Sequence, residues 1–162
     1  MSEGLESRII EFTNKVLRLG GWDLKAEIEA PVAADAGDGP DAGDQKLTVQ
    51  VRGDDVSLLL GRNAELLDAL EYVSNRAFAR EAGRDGRIVF DSGSYRSRRE
   101  KELQLMAAKA AERVRTSRTP FTFDPMSPNE RRIIHTALLE DKTIRTESKG
   151  DGIDRKVVIY PA

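Results

Sequence analysis

The spacing of apolar residues divides the first 93 residues into six elements. Apolar positions that recur at helical spacing predict helices over 5–17, 54–60 and 65–81. Period-two alternation, bounded by glycine and polar clusters, predicts strands over 22–32, 46–52 and 87–91. The expected order is therefore helix, strand, strand, helix, helix, strand.

The segment that joins the first two strands has a different composition. Residues 33–45 are rich in alanine, glycine and aspartate, include a proline and four aspartates, and contain no apolar side chain larger than alanine. Such a segment has little apolar surface to bury. We therefore expect an acidic, solvated and mobile hairpin loop.

The second part of the chain, residues 94–162, predicts two helices and three strands. The helices are expected over 95–115 and 127–139, and the strands over 119–123, 143–148 and 153–160. The first of these helices carries an apolar stripe formed by Leu103, Met106, Ala110 and Val114. We therefore expect an α+β fold with two small domains, residues 1–93 and residues 94–162.

Charge and composition narrow the classes of function. Residues 1–93 carry a net charge of −7 and residues 94–162 a net charge of +5, so the second half favours an anionic partner. The chain has no cysteine, one histidine and no clustered carboxylates in its basic half, which leaves too few groups for a metal site or a proton relay. It also lacks a membrane-spanning apolar run and the features of a signal peptide. We therefore expect a cytoplasmic protein that is not an enzyme, holds no metal or cofactor and does not insert into a membrane.

The start of the last helix is specified in detail. Ser127 is expected to be the N-cap, Pro128 the first helical residue and Glu130 the third, which completes a capping box. With this start, Arg131 and His135 lie one turn apart, at the border of the apolar face. The pair has two interpretations: a patch that faces phosphate or base, or a surface arginine beside a histidine that bonds a backbone carbonyl.

Basic residues at the start of the preceding helix favour an anionic ligand. Arg96, Arg98 and Arg99 stand in its first turns, where the helix dipole disfavours cations by a few tenths to about 1 kcal/mol each. This placement favours contacts with backbone phosphates. The alternative is that these arginines pair with Glu100 and Glu102.

The final hairpin offers donors suited to phosphate oxygens. Thr146, Ser148, Lys149 and Arg155 are expected to line one face of it. Small hydroxyls are also ordinary in turns, so the hairpin alone is weak support.

Taken together, these residues resemble a known module. The motifs that carry the resemblance are Pro125-Met126-Ser127-Pro128-Asn129-Glu130-Arg131-Arg132-Ile133-Ile134-His135, Thr146-x-Ser148-x-Gly150 and Arg155-x-Val157-Val158-Ile159-x-Pro161. They resemble the single-stranded nucleic-acid-binding domain named for its Arg-x-x-x-His motif. The upstream Tyr95-Arg96-x-Arg98-Arg99-Glu100 is similar to the helix that leads into this domain in the bacterial Jag/KhpB (SpoIIIJ-associated) family.

The first half agrees with that family, because its element order is that of a type II KH domain. In such a domain a Gly-x-x-Gly loop between two helices grips a nucleic-acid backbone, and the matching residues here are Gly61, Arg62, Asn63 and Ala64. Ala64 adds a Cβ where a phosphate would approach, and Glu65 adds a negative charge. We therefore expect KH binding that is weak or depends on the second domain. The alternative is a plain connection between helices with Asn63 as N-cap.

The resemblance implies a cytoplasmic RNA-binding protein, a post-transcriptional regulator linked to cell division or envelope growth. It implies single-stranded RNA as ligand, with single-stranded DNA also open, and a small single-KH protein as a candidate partner. The nucleic-acid-binding residues would be Arg96, Arg98, Arg99, Arg131, Arg132, His135, Thr146, Ser148, Lys149 and Arg155.

Two further expectations follow from the same comparison of motifs. Many family members carry an extra N-terminal domain, whereas this chain begins at the first predicted KH helix. The alternative function, from a different class, is a protein–protein adaptor with little RNA binding of its own. Ala64, Glu65 and the acidic first half favour that alternative.

Overall fold

The computed structural model describes residues 3–29, 45–82 and 86–162. Its helices are α1 (Glu3–Leu19), α2 (Val56–Ala82), α3 (Tyr95–Ser117) and α4 (Pro128–Ala137). Its strands are β1 (Leu24–Ile28), β2 (Gln45–Gly53), β3 (Gly86–Asp91), β4 (Phe121–Thr122), β5 (Ile144–Lys149) and β6 (Lys156–Pro161). These elements confirm the predicted α+β fold. Of the predicted acidic loop, residues 33–44 lie outside the described residues.

The chain forms two compact units, of which the first ends at Tyr95 and the second begins at Arg96. In the first unit the sheet order is β1-β2-β3, with β1 antiparallel and β3 parallel to β2. Side chains from α1, α2 and all three strands form its core. Residues 61–64 interrupt α2 with non-helical backbone angles. The two helices predicted on either side of that loop are therefore the two limbs of α2.

The second unit has an antiparallel sheet with the order β4-β6-β5. Residues of α3, α4, β5 and β6 bury a second core that includes Leu103, Ile134 and Ile159. β5 is an edge strand of this sheet, and the residues that it pairs with all belong to β6. This arrangement places one helix, α4, and one exposed sheet edge beside the same core.

The hairpin between β5 and β6 differs from the predicted one. A strand from residue 153 was wrong, because Gly152–Asp154 form a 3-10 turn and β6 begins at Lys156. Gly150 has φ of 89°, and a Cβ there would stand 2.9 Å from the carbonyl oxygen of Asp154. The hairpin thus closes so tightly that glycine is required at this position.

Helical spacing predicts Val73 on the inner side of its helix, as it does Met106, but both residues are exposed. Val73 on α2 is 46% exposed and Met106 on α3 is 40% exposed, whereas Ser74 and Ala107 are buried. Each exposed residue lies roughly 100° around its helix from the centre of the buried stripe, which is too far to reach the core. One residue of each predicted stripe was therefore wrong, while Leu103, Ala110 and Val114 on α3 are buried as predicted.

Candidate functional site

The N-terminus of α4 fixes the position of Arg131 and His135. The Ser127 hydroxyl accepts a hydrogen bond from the Glu130 N–H at 3.3 Å, and Glu130 Oε2 accepts one from the Ser127 N–H at 3.0 Å. Pro128 is the first residue of the helix. The predicted capping box is therefore confirmed, and it sets the direction in which the following turn presents its side chains.

His135 lies between two hydroxyl groups of β5. Its Nδ1 is 2.7 Å from Thr146 Oγ1 and its Nε2 is 2.8 Å from Ser148 Oγ. The two hydroxyls share one side of β5 because they are two residues apart on a strand. Of the two interpretations of His135, a bond to a backbone carbonyl is therefore wrong. We call Arg131, His135, Thr146 and Ser148 the Arg131–His135 site.

The protonation state of His135 decides which hydroxyl donors are free. Partial burial and, to a smaller extent, the neighbouring Arg131 charge lower the pKa of His135 below its usual value. The imidazole is therefore neutral at pH 7, with one ring nitrogen donating and the other accepting. One hydroxyl then keeps its O–H for a ligand, and protonation of His135 would free both.

Arg131 has no acidic partner among the residues that the structure describes. Its side chain is half-buried, and its Nε–H is buried without an acceptor in the same described set. A buried donor without a partner is uncommon in folded proteins. The guanidinium therefore has hydrogen-bonding capacity and charge that the described chain leaves unused.

Arg99 is engaged inside the second unit. Its Nε donates to Glu130 Oε1 at 2.8 Å and its Nη1 donates to Glu102 Oε2 at 2.8 Å. The Glu130 side chain is only 8% exposed and that of Arg99 20%. Pairing with Glu102, the alternative raised from the sequence, is present. The pairing with Glu130 was missed, and no local pattern indicates a contact across 31 positions.

The other predicted arginines differ in exposure. Arg96 is half-buried, whereas Arg98, Arg132 and Arg155 are exposed. Arg155 precedes β6 in an extended conformation, so strand alternation places it on the side of Val157, the residue paired with Ser148. Arg155 therefore lies on the same side of the hairpin as Thr146 and Ser148, as predicted.

Lys149 corrects the prediction that four hairpin residues line one face. It is one position beyond Ser148 and so points to the opposite side of the sheet. Its Nζ lies 4.8 Å from the centroid of the Tyr160 ring and 3.5 Å from Glu147 Oε2. Tyr160 was not assigned to this surface from the sequence. Its position next to the buried Ile159 on a strand indicates the same side of the sheet as Lys149.

The loop in α2 also differs from the expectation. Arg62, Asn63 and Ala64 have left-handed backbone angles, with φ of 50°, 59° and 62°. Ala64 is 2% exposed and belongs to the core of the first unit. Its Cβ therefore does not stand where a phosphate would approach the loop, which corrects that prediction. Asn63 lacks the extended conformation usual for an N-cap, which argues against the plain-connection alternative.

Two features are absent from the residues that the structure describes. No group of three or more histidine, aspartate and glutamate side chains in 3–29, 45–82 and 86–162 could hold a metal ion. Over the same ranges, no helix has the length and apolar character that crossing a bilayer requires.

The second unit is similar to a known domain family. Residues 101–161 match the domain family named for its Arg-x-x-x-His motif. The match includes α4, β5 and β6, and so contains all four residues of the Arg131–His135 site.

Curated relatives extend the similarity into the first unit. RNA-binding protein KhpB of Clostridium symbiosum is 29% identical over 157 residues, which are 97% of this chain and 66% of that protein. KhpB of Bacillus subtilis (strain 168) is 32% identical over 120 residues, 72% of this chain and 58% of that protein. The chain thus spans about two thirds or less of the length of these relatives. Together with the match to the Arg-x-x-x-His domain family, they support assignment to the Jag/KhpB family.

Proposed function

We propose that this chain binds single-stranded RNA through the Arg131–His135 site. The observation that carries the proposal is the placement of His135 between the Thr146 and Ser148 hydroxyls, beside an Arg131 whose Nε–H lacks an acceptor in the described part of the chain. The match to the Arg-x-x-x-His domain family and the relatives named RNA-binding proteins support the choice of ligand. Single-stranded DNA has the same phosphates, so the affinities for RNA and DNA of equal sequence are to be compared directly.

Each residue of the site has a separate role in this proposal. Arg131 contacts a phosphate oxygen, since a guanidinium can donate two parallel hydrogen bonds to it. The hydroxyl of Thr146 or Ser148 that accepts from neutral His135 donates to the same phosphate or to a ribose, and both hydroxyls donate when His135 is protonated. His135 acts by holding these hydroxyls, because both of its ring nitrogens are already occupied by them. Arg132 and Arg155 add positive charge at the border of the site.

The proposal for the first unit is a type II KH domain. Its support is the order of the elements, the parallel β2–β3 pair and the non-helical loop at residues 61–64. The 97% coverage by the Clostridium symbiosum relative also includes this unit. Gly61 is exposed, and a Cβ added to it would meet nothing within 4 Å. A ligand backbone can therefore approach the loop at Gly61.

The wider role belongs to the same proposal. We infer a cytoplasmic, non-enzymatic protein that regulates transcripts after transcription, with a link to cell division or envelope growth and a small single-KH protein as partner. The support is the similarity to the Jag/KhpB relatives and the basic second half of the chain. Sequencing of transcripts crosslinked to the protein in cells would test this role directly.

Salt dependence is the test of the proposed ligand. If three or four phosphates are contacted, the affinity for a single-stranded RNA should fall about twentyfold to fiftyfold between about 50 and 200 mM salt. Fluorescence anisotropy with a labelled oligonucleotide measures this. An RNA duplex of equal length should bind less tightly. Absence of binding, or binding without a salt slope, would contradict the proposal.

A second candidate function is a protein–protein adaptor. An apolar pocket on the first unit favours it, lined by Phe12, Val16, Trp22, Leu66, Ala69, Leu70 and Val73. Tyr72, beside this pocket on α2, is 70% exposed. An adaptor would show almost no RNA binding at low salt, which separates it from the main proposal.

Substitution of Gly61 by alanine tests whether the first unit takes part in binding. The backbone angle φ of −61° suits alanine and the added methyl meets open space, so thermal stability should be unchanged or slightly higher. If a nucleic-acid backbone contacts the loop, the affinity for RNA should fall about threefold to tenfold in an anisotropy titration. Unchanged affinity would favour the adaptor function for this unit.

Ala64→Gly is the control for that experiment. Relief of one left-handed alanine gains about 1 to 2 kcal/mol, and loss of one buried methyl removes about 0.8 kcal/mol. These effects nearly cancel in stability. Because the Ala64 side chain is in the core, we expect RNA affinity to stay within about twofold of the wild type.

A further inference from the structure

The second unit has a sheet face that the Arg131–His135 site does not use. Val157 and Ile159 of β6 point into the core, so the residues that alternate with them point to the other side. The register pairs Tyr160 with Arg145 and Lys156 with Lys149 across the hairpin. We call the group of Arg145, Glu147, Lys149, Lys156 and Tyr160 the outer sheet face.

An aromatic ring with two cations forms the centre of this face. The guanidinium carbon of Arg145 lies 5.0 Å from the centroid of the Tyr160 ring, and Lys149 Nζ lies 4.8 Å from it. Both distances are within the range of cation–π attraction. Hydrogen bonding to Tyr160 also raises the pKa of Lys149 above its usual value, so the amine stays charged.

Glu147 is the counter-ion of both cations. Its carboxylate accepts from Arg145 Nη1 at 2.8 Å and stands 3.5 Å from Lys149 Nζ. The Arg145 and Lys149 side chains are nevertheless 63% and 53% exposed. With the half-buried Lys156 included, three cations stand beside one carboxylate, so the outer sheet face has an excess of positive charge.

This combination of groups fits a single-stranded nucleic acid. Exposed aromatic rings on sheet surfaces stack bases, and flanking lysine and arginine side chains contact the phosphates between them. The charge excess also matches the sign of such a ligand.

The outer sheet face is connected to the Arg131–His135 site through one strand. β5 is the edge strand of its sheet, with Thr146 and Ser148 on one side and Arg145, Glu147 and Lys149 on the other. Successive residues of β5 therefore alternate between the two surfaces. A single-stranded nucleic acid that crosses the β5 edge would contact both the Arg131–His135 site and the outer sheet face.

We propose that the outer sheet face is a second binding surface for single-stranded RNA, on which a base stacks against Tyr160 and adjacent phosphates contact Arg145 and Lys149. The inference rests on the proposed function, since the RNA makes its first contacts at the Arg131–His135 site. A phosphate replaces Glu147 as the partner of the two cations when RNA binds. The site therefore extends over the edge of β5.

Oligonucleotide length separates the two surfaces experimentally. Tyr160→Leu should weaken binding of an RNA of about twelve nucleotides by about tenfold, and leave an RNA of about four nucleotides within twofold of wild type. Tyr160→Phe keeps the ring and should bind both RNAs as the wild type does. Tyr72→Leu removes an exposed tyrosine of the first unit and is the matched control. Thermal unfolding of each variant identifies any loss of fold.

The carboxylate provides an independent test. Asp154→Asn makes an equal charge change at an exposed position of the adjacent turn and is the control. The affinity of Glu147→Gln for the longer RNA should be about three times that of Asp154→Asn. Equal effects of the two substitutions would contradict displacement of Glu147 by phosphate.

The outcomes distinguish this inference from the proposed function. If Tyr160→Leu is folded and binds both RNAs as the wild type does, the outer sheet face is not a binding surface, while binding at the Arg131–His135 site stands. If the wild-type chain binds neither RNA, the proposed function itself fails. If Tyr160→Leu and Tyr72→Leu weaken binding equally, the effect is not specific to this face and the inference is wrong.

Discussion

Alanine at both Arg131 and His135 is expected to weaken binding of single-stranded RNA at least tenfold. Loss of one hydrogen-bonded charge contact costs about 1.5 to 3 kcal/mol, and about 1.4 kcal/mol is a factor of ten in affinity. Arg131 supplies that contact, and without His135 the Thr146 and Ser148 hydroxyls lose the partner that orients them. Anisotropy titrations at low salt measure the change.

A matched double variant controls for the loss of charge. Thr136→Ala with Lys142→Ala removes one cation and one polar side chain from exposed positions outside the site. We expect this control to bind RNA within about threefold of wild type, since it alters only the surrounding charge. If the two double variants bind RNA equally well, the assignment of the site is wrong.

The pH dependence of binding is a second readout of the same pair. His135 is neutral at pH 7 in the free protein because burial and Arg131 lower its pKa. A bound phosphate opposes both effects and raises the pKa in the complex, so binding takes up a proton. Affinity should therefore rise as pH falls through the pKa of the complex and become constant below that of the free protein. The variant with alanine at 131 and 135 should lose this dependence.

Much of this site could be predicted because its determinants are local. The capping box from Ser127 to Glu130 depends on residues within one helical turn, and it fixes Arg131 and His135 on one side of α4. The spacing of Thr146 and Ser148 follows from the period of a strand. His135 contacts Thr146 and Ser148 with Arg131 nearby, and each of the two elements is recognisable from its own sequence.

The rest depends on packing between distant segments. The pairing of Arg99 with Glu130 joins α3 to α4, and neither residue's neighbours indicate it. Ala64 was interpreted as an outward-facing residue, whereas the left-handed turn directs it into the core. Lys149 was grouped with hydroxyls of similar chemistry, although strand alternation places it on the opposite side. Chemical type alone does not show which face a residue occupies.

Glu130→Ala is expected to destabilise the second unit by about 3 kcal/mol, more than Glu130→Gln. Alanine removes the hydrogen bond that Glu130 Oε2 accepts from the Ser127 N–H, which costs about 1 kcal/mol, while the Ser127 hydroxyl still caps the helix. Removing one partner of a fully buried ion pair costs about 3 to 5 kcal/mol. Breaking the pair here costs less than that range, about 2 kcal/mol, because Arg99 is partly exposed and retains Glu102. Glu130→Gln keeps an acceptor for the Ser127 N–H and should lose only about 1 to 2 kcal/mol. Calorimetric unfolding of the full chain measures both.

The same ion pair bears on binding, because Glu130 immediately precedes Arg131 in the chain. Arg99 neutralises this carboxylate at 2.8 Å, and so limits its repulsion of a phosphate at the site. Arg99→Ala should therefore lower both stability and RNA affinity. Adding Glu130→Gln to Arg99→Ala should restore RNA affinity without restoring the full stability. Glu102→Ala is the control, because Glu102 is exposed, and it should change stability by less than about 1 kcal/mol. If Arg99→Ala lowers affinity and the added Glu130→Gln does not restore it, Arg99 contacts RNA directly, as its place at the start of α3 first indicated.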